Sequence, residues 1–328
     1  MYVGLDIGYG QTKLTFTDLY TPTIGEVHPS GSAPVVECNR NAATSAGSQN
    51  PGVDVLVHGN VYGSLIDPDH LARGMNVLHK GFVSTKEYLA LYYGALSRMR
   101  GNVVEHLVTG LPVEQYKDDE LVAELKRLLI GSHRIQQNRT IEVKKVSVIP
   151  QAMGAYLHHL DKQPLGYGED ESILVIDFGH YSIDWIVVGS GNFKDHISGS
   201  IPHGGSVVIE KICALIKDAD KNNDIAPELV YRYVRTKKTS VKLGRHILDM
   251  DDLKDRAAAS VGPGAINMIL SKLRLERTAI HKVLLCGGSA PFFKKYVQDA
   301  FEQAEVEDMD HAVLANAFGY GLVAQRDV

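Results

Sequence analysis

The chain has 328 residues, 34 basic against 39 acidic side chains and a net charge of −5, which gives no global attraction to nucleic acid. Its length suffices for two domains, each with its own core, and with mean hydropathy at −0.10 no apolar run is long enough to cross a bilayer. The N-terminus enters a strand directly, with neither a basic leader nor a cleavage site, so a cytoplasmic protein is expected. The cysteines Cys38, Cys213 and Cys286 lie far apart without a Cys-x-x-Cys pair, and the histidines show no His-x-x-x-His or His-Glu-x-x-His spacing. Buried free thiols fit better than disulfides or metal ligands.

Residues 2–16 open the chain as an apolar strand that ends in Asp6-Ile7-Gly8, a short polar turn through Tyr9, Gly10 and Gln11, and a second strand carrying Lys13. A bend at a glycine can turn backbone N–H groups toward an anion, and an acid at the strand end can hold a hydrated cation beside it. Phosphate with Mg²⁺ suits that arrangement. Residues 21–52 are rich in Pro, Gly, Ser and Asn and read as surface loop around apolar islands at 33–36 and 53–57.

Ser84-Thr85-Lys86-Glu87 has capping-box spacing, and Tyr88, Leu91, Tyr92, Ala95, Leu96 and Met99 follow at helical intervals. Residues 103–109 predict a strand, 118–130 an amphipathic helix and 141–149 another strand, an order that marks an α/β layer. Pro150 suits a helix start, which places Gln151 in the first turn. Residues 162–171 are polar, with Pro164, Gly166 and Gly168, and suit a crossing between two halves.

The hairpin pattern then returns. Residues 173–178 form an apolar run ending in Asp177-Phe178-Gly179, followed by His180, Tyr181 and Ser182 and a second strand from Trp185 to Val188. Two copies half a chain apart suggest duplicated halves facing one nucleotide. A turn at 189–191 leads to a third antiparallel strand, and Gly204-Gly205-Ser206 introduces a helix over 207–216, carrying Glu210, whose N-terminus either approaches the nucleotide or is an ordinary turn. The basic run 232–246, edged by Tyr231 and Tyr233, invites a nucleic-acid reading, but the acidic segment 249–255 follows at once and favours a solvated face or a subunit contact.

A helical segment over 257–278 leads to the buried strand 283–286, which breaks at Gly287-Gly288-Ser289. Paired glycines there fit either a backbone passing against a flat ligand such as adenine or a tight strand-to-helix turn. Residues 312–321 form a helix rich in small side chains, suited to close packing on another helix.

In this order the stretches 6–13, 147–157, 173–185, 284–291 and 312–321 resemble the first phosphate loop, the first connecting helix, the second phosphate loop, the adenosine motif and the second connecting helix of the actin-like ATPase superfamily. Length and wording are similar to the bacterial and archaeal ParM/StbA type, and residues 82–112 to the D protein of the plasmid PRTRC system. The resemblance implies an α/β actin-like fold of two ribonuclease H-like domains with mixed sheets flanking a nucleotide cleft. Residues 1–161 would form domain I, 162–310 domain II and 311–328 a C-terminal helix packing back on domain I.

It further implies ATP or ADP with Mg²⁺ held through water by Asp6 and Asp177, and donors to the phosphates from Gly8, Tyr9, Gly10, Gln11, Gly179, His180, Tyr181 and Ser182. Lys13 would add a positive charge, Gly205, Glu210, Gly287, Gly288 and Ser289 would line the nucleotide, and Gln151 would orient the attacking water. Asp6, Asp177 and Gln151 form the expected catalytic set. The implied activity is ATP hydrolysis by a self-polymerising filament protein of plasmid or DNA segregation. Its expected partners are further copies of itself and a DNA-binding adaptor at a centromere-like site, without direct nucleic-acid or membrane contact.

Two residues depart from the pattern: His180 replaces a glycine common after Asp-x-Gly, and Gln151 stands where ParM-like relatives tend to carry Glu. Gln cannot remove a proton, so slow hydrolysis is expected. The competing readings are a small-molecule kinase of the same superfamily, with Asp184 or Glu210 as its carboxylate, and a nucleotide-binding module without turnover.

Overall fold

The continuous apolar run at the N-terminus forms β1, Tyr2–Ile7, buried along its whole length as a strand covered on both faces must be. The structure is a computed structural model describing residues 1–18, 23–39, 52–72, 81–163, 168, 171–219, 224–243 and 246–326. The predicted loop residues 21–22, 40–51 and most of the predicted crossing between 164 and 170 lie outside the described residues, as does Arg245 of the basic run. Two compact units result: Met1–Gly166 with Met309–Val328, and Tyr167–Asp308.

In the first unit β1 pairs antiparallel with β2, Gln11–Thr17, from Tyr2↔Thr17 to Ile7↔Thr12. β3, Ile24–Pro29, continues the antiparallel run. After it come β4 (Gly31–Pro34), β5 (Val53–Val57), β6 (Asn60–Ile66), β7 (Val103–Val104), β8 (His106–Leu111), β9 (Gly131–Gln136), β10 (Arg139–Val143) and β11 (Val146–Pro150). The main sheet has the order β11-β8-β1-β2-β3, with β8 and β11 parallel to β1, and two three-stranded sheets, β4-β6-β5 and β7-β10-β9, flank it in sequence.

The predicted strand over 141–149 is therefore two strands in two sheets. Ile141 and Val143 face inward, Lys144 and Lys145 are both exposed, and inward alternation resumes at Val146, one residue out of step. Exposed Glu105 likewise separates β7 from β8 within the predicted strand 103–109. The helix Lys86–Ser97 forms as expected, but its cap is Thr85, whose hydroxyl accepts from the Tyr88 N–H at 3.1 Å. Ser84 donates to Glu124 instead, at 2.9 Å.

Small residues set the remaining packing of this unit. The helices Met153–Asp161 and Ala315–Arg326 cross backbone to backbone: a Cβ on Gly319 would lie 1.8 Å from the Gly154 carbonyl oxygen. A Cβ on Gly4 would lie 2.1 Å from that of Ala317. Thr15 Oγ1 donates to the Ala317 carbonyl at 2.8 Å, and Asn316 Oδ1 accepts from the Ala155 N–H at 3.0 Å. The small-residue helix read from the sequence thus packs closely on a second helix and on β1.

The second unit repeats the sheet. β12 (Ser172–Phe178) and β13 (Ile183–Gly189), buried throughout, pair antiparallel from Ser172↔Gly189 to Phe178↔Ile183. β14 (Asn192–Phe193) and β15 (Gly199–Ile201) both extend β13 in the antiparallel sense. β16 (Ser240–Leu243) and β17 (His246–Asp249) make a separate hairpin. On the other flank β18 (Ile280–Cys286) and β19 (Glu305–Asp308) join in parallel. Each unit is thus an antiparallel hairpin extended on one side and joined on the other by two parallel strands, the mixed α/β plan that the resemblance implies.

The helices Gly205–Ala219, Met250–Leu273 and Ala290–Ala300 supply much of this unit's core, through Ile209, Ile212, Ile266, Ile269, Phe293 and Val297. The long helix starts earlier than its apolar period suggested. Asp249 caps it, accepting from the N–H groups of Asp251 and Asp252 at 2.8 and 3.2 Å, so this acidic segment complements a helix N-terminus. Among the described residues no helix is long and apolar enough to cross a membrane.

Candidate functional site

The first turn closes with the Gly8 N–H donating to the Gln11 carbonyl at 3.1 Å, and the register sets Asp6 opposite Lys13. Asp6 is 2 % exposed. Its Oδ2 accepts from Lys13 Nζ at 2.9 Å and its Oδ1 from Gln151 Nε2 at 3.3 Å. A cation and a carboxamide therefore converge on one buried carboxylate, which retains accepting capacity for water.

Gln151 is not in a helical turn. Pro150 ends β11, paired with Leu111, and the Gln151 N–H donates to the Leu111 carbonyl at 2.7 Å. Ala152 follows with φ 67°, a left-handed backbone that L-residues with a Cβ rarely adopt, before the helix begins at Met153. This correction has a physical cause: the parallel pairing with β8 carries the strand through Pro150, and the chain must then turn within two residues.

Tyr9, half-buried at the tip of the turn, stacks on Phe82, with ring centroids 4.3 Å apart and planes 22° off parallel, and Phe82 meets Tyr88 edge-on at 5.5 Å. Burial, with the nearby Asp6 carboxylate adding to it, holds the Tyr88 hydroxyl pKa well above its usual value. The stack on Phe82 fixes the face of the Tyr9 ring at the tip of the turn. Gly10 is buried, its carbonyl accepting from the Ser30 N–H at 3.2 Å.

The second turn has the same bond, from the Gly179 N–H to the Ser182 carbonyl at 3.0 Å, and at the same register position Asp177 faces Asp184. Asp184, 1 % exposed, accepts from the hydroxyls of Ser182 at 2.5 Å and of Ser200. The hydroxyl of Ser182 donates inward, which leaves its oxygen as an acceptor toward any ligand. His180 packs its ring on Tyr231 at 4.6 Å between centroids, and burial pushes its pKa down to about 4. Without a ligand beside it the ring is uncharged at neutral pH.

Beside this turn, the helix Gly205–Ala219 starts against the loop. The N–H groups of Gly204, Gly205 and Ser206 donate to the carbonyls of Tyr181, Gly179 and His180 at 2.9, 3.0 and 2.7 Å. The free donors expected at this helix start are thus engaged within the protein, and Glu210 lies exposed on the same helix. Gly287, at φ +87°, lies against the other side: a Cβ there would fall 2.3 Å from Asp177 Oδ1 and 2.4 Å from the Phe178 carbonyl. The Ser289 N–H donates to that carbonyl at 2.9 Å, whereas Gly288 is exposed. Of the two readings of the glycine pair, Gly287 fits a tight strand-to-helix turn, one that also admits the Asp177 carboxylate.

Residues 4–154 match the family of actin-like protein N-terminal domains, and residues 175–299 match the C-terminal domain of the MreB-like archaeal actin homologue. The chain belongs to the actin-like superfamily. No curated protein matches its sequence. Among solved structures, an archaeal actin homologue superposes with a TM-score of 0.77 at 19 % identity, covering 99 % of this chain and 100 % of the other. The same homologue in complex with ADP gives 0.76 at 17 %, with coverage of 99 % and 100 %. The ParM of a 15-stranded filament from Clostridium botulinum gives 0.77 at 17 %, covering 99 % and 98 %.

Within the actin-like framework each unit assembles its own set of the residues singled out in the sequence. Asp6, Lys13 and Gln151 meet in the first unit; Asp177, Gly179, Ser182, Gly205, Gly287 and Ser289 lie around one turn in the second. Sequence reasoning missed Phe82 beneath Tyr9 and Ser200 beside Asp184. The only trace of Ser200 in the sequence is its place on β15, and nothing in the residue pattern marks it as a partner of Asp184.

Proposed function

We propose that this actin-like chain binds ATP with Mg²⁺, polymerises, and hydrolyses ATP slowly as its filaments age, in the service of plasmid or DNA segregation in the cytoplasm through a DNA-binding adaptor. The observation that carries the reading is the Asp6 constellation. A buried carboxylate at a strand end, beside a glycine turn, holds a cation on one oxygen and a carboxamide on the other. Such a set can place a phosphate chain and a water with little further movement.

Asp6 and Asp177 are the residues that would hold the waters of Mg²⁺, and two buried acids at strand ends suit a hydrated hard cation. The ion, when bound, offsets negative charge on the phosphates. Lys13 adds a point charge at the phosphates on exchanging Asp6 for an anion. Gln151 donates to Asp6 through Nε2, which leaves its carbonyl oxygen to accept from a water and orient it. Filament formation by the ParM of Clostridium botulinum and ADP binding by the archaeal homologue support the nucleotide and polymer parts of the proposal.

The kinase reading is weaker. Asp184 already accepts from two serines and Glu210 is exposed on a helix, so neither is poised as a general base. The test is right-angle light scattering with simultaneous phosphate release, using ATP–Mg²⁺, ADP–Mg²⁺ or no nucleotide over a series of protein concentrations. Scattering above a critical concentration only with nucleotide, with phosphate release lagging, is expected. Absence of scattering with ATP consumption stimulated by hydroxyl compounds would move the assignment to a kinase.

A further inference from the structure

The turn that carries Gln151 is supported by a residue that no motif marks. Tyr320, on the helix Ala315–Arg326, is fully buried. A Cβ placed on Gly110, near the end of β8, would lie 1.9 Å from the Tyr320 hydroxyl oxygen and 3.2 Å from Gln151 Cγ. Tyrosine and glutamine therefore border the same point beside Gly110. A Cβ on Gly154, in the first turn of the helix Met153–Asp161, would lie 2.5 Å from Tyr320 Cε1. The ring thus occupies the space that two absent side chains leave, on either side of the turn at 151–152.

That turn is tightly constrained. Its first N–H is tied to the Leu111 carbonyl at 2.7 Å, and Ala152, with φ 67°, is 0 % exposed. A non-glycine residue stays in the left-handed region only where its surroundings over-determine it. We infer that Tyr320 is a positioning residue for Gln151: its ring is the spacer between Gly110 and Gly154 that keeps the turn in its left-handed form and the Gln151 carboxamide within reach of Asp6.

The inference rests on the proposed role of Gln151 in ordering water. A spacer holding a water-orienting group affects turnover more than substrate binding, since displacement of about 1 Å can cost orders of magnitude in rate. In the full chain, Tyr320→Leu is expected to lower kcat for ATP hydrolysis about tenfold with KM within about twofold, while Tyr320→Phe, which keeps the ring and loses the hydroxyl oxygen beside Gly110, gives a smaller loss. In a Gln151→Ala background, Tyr320→Leu should produce no further loss. The Gln151 side-chain amide resonances of the nucleotide-free protein should shift more in Tyr320→Leu than in Tyr320→Phe.

Unchanged kcat and unshifted resonances in Tyr320→Leu, alongside a clear loss in Gln151→Ala, would overturn the inference and leave the function standing. Equal, additive losses in both backgrounds would make Tyr320 a structural residue only and also overturn it. A Gln151→Ala protein as active as the parent, or a parent that neither binds nor hydrolyses ATP, would overturn the function and the inference together. Should Tyr320→Leu fail to fold, Tyr320→Met, which keeps volume without a ring, is read by the same criteria.

Discussion

The two hairpins share a backbone and differ in charge. Each turn is closed by one bond, from Gly8 to Gln11 at 3.1 Å and from Gly179 to Ser182 at 3.0 Å, and each sets an aspartate at the same register position. Across from Asp6 stands Lys13; across from Asp177 stands Asp184. The first hairpin neutralises its acid with a cation. The second keeps a further acid buried and holds it with serine hydroxyls. The two turns thus share a geometry and differ in their electrostatics.

Lys13→Met attacks the first half of that contrast and should have the largest effect. The Lys13 and Asp6 side chains are 13 % and 3 % exposed, and removing one partner of so buried a pair leaves a charge uncompensated. Urea denaturation should show a loss of about 3–4 kcal/mol, and calorimetry a loss of ATP affinity of at least about tenfold. Gly287→Ala attacks the second. The left-handed φ and the 2.3 Å approach to Asp177 Oδ1 make a loss of about 3 kcal/mol the expected outcome, again by urea denaturation. Asp184→Ala should cost about 2 kcal/mol by leaving two serine hydroxyls with altered partners. If Asp184→Ala proved as costly as Lys13→Met, the two hairpins would be alike in energy despite their charges.

A smaller effect concerns pH. His180 has its pKa lowered to about 4 by burial, so between that value and the ordinary one the unfolded chain binds the extra proton. Its contribution is present in full above the unfolded pKa of about 6.5 and is lost as pH falls toward 4. Thermal or urea unfolding at pH 7 and pH 5 should show a decline in the parent exceeding that of His180→Phe by roughly 1–2 kcal/mol. Equal declines would mean that the ring is as well hydrated in the fold as out of it.

Both hairpins were legible because a buried strand ending in Asp-x-Gly is a local pattern that the chain writes in consecutive residues. The position of Gln151 was not, since a proline that could start a helix instead ends β11, a choice made by pairing with β8 some forty residues earlier in sequence. The break between β10 and β11 was visible only in two adjacent outward lysines, too slight a signal against a run that otherwise alternates. Ser200 escaped for the same reason as Tyr320: each reaches its site from another element, and a hydroxyl on a strand or a tyrosine on a helix has many ordinary uses.

The threonine-to-carbonyl bond between Thr15 and Ala317 joins residues 302 positions apart. During synthesis, every residue of the second unit emerges from the ribosome before the helix that covers β1 does. The inserted unit is contiguous and can complete its own core first. The earlier one must wait, with the glycine face of β1 and of the helix Met153–Asp161 open, until its closing segment arrives. A chain ending between 309 and 314, held on the ribosome by a linker long enough to span the exit tunnel, should accordingly remain susceptible to protease in residues 1–163, while residues 171–308 resist.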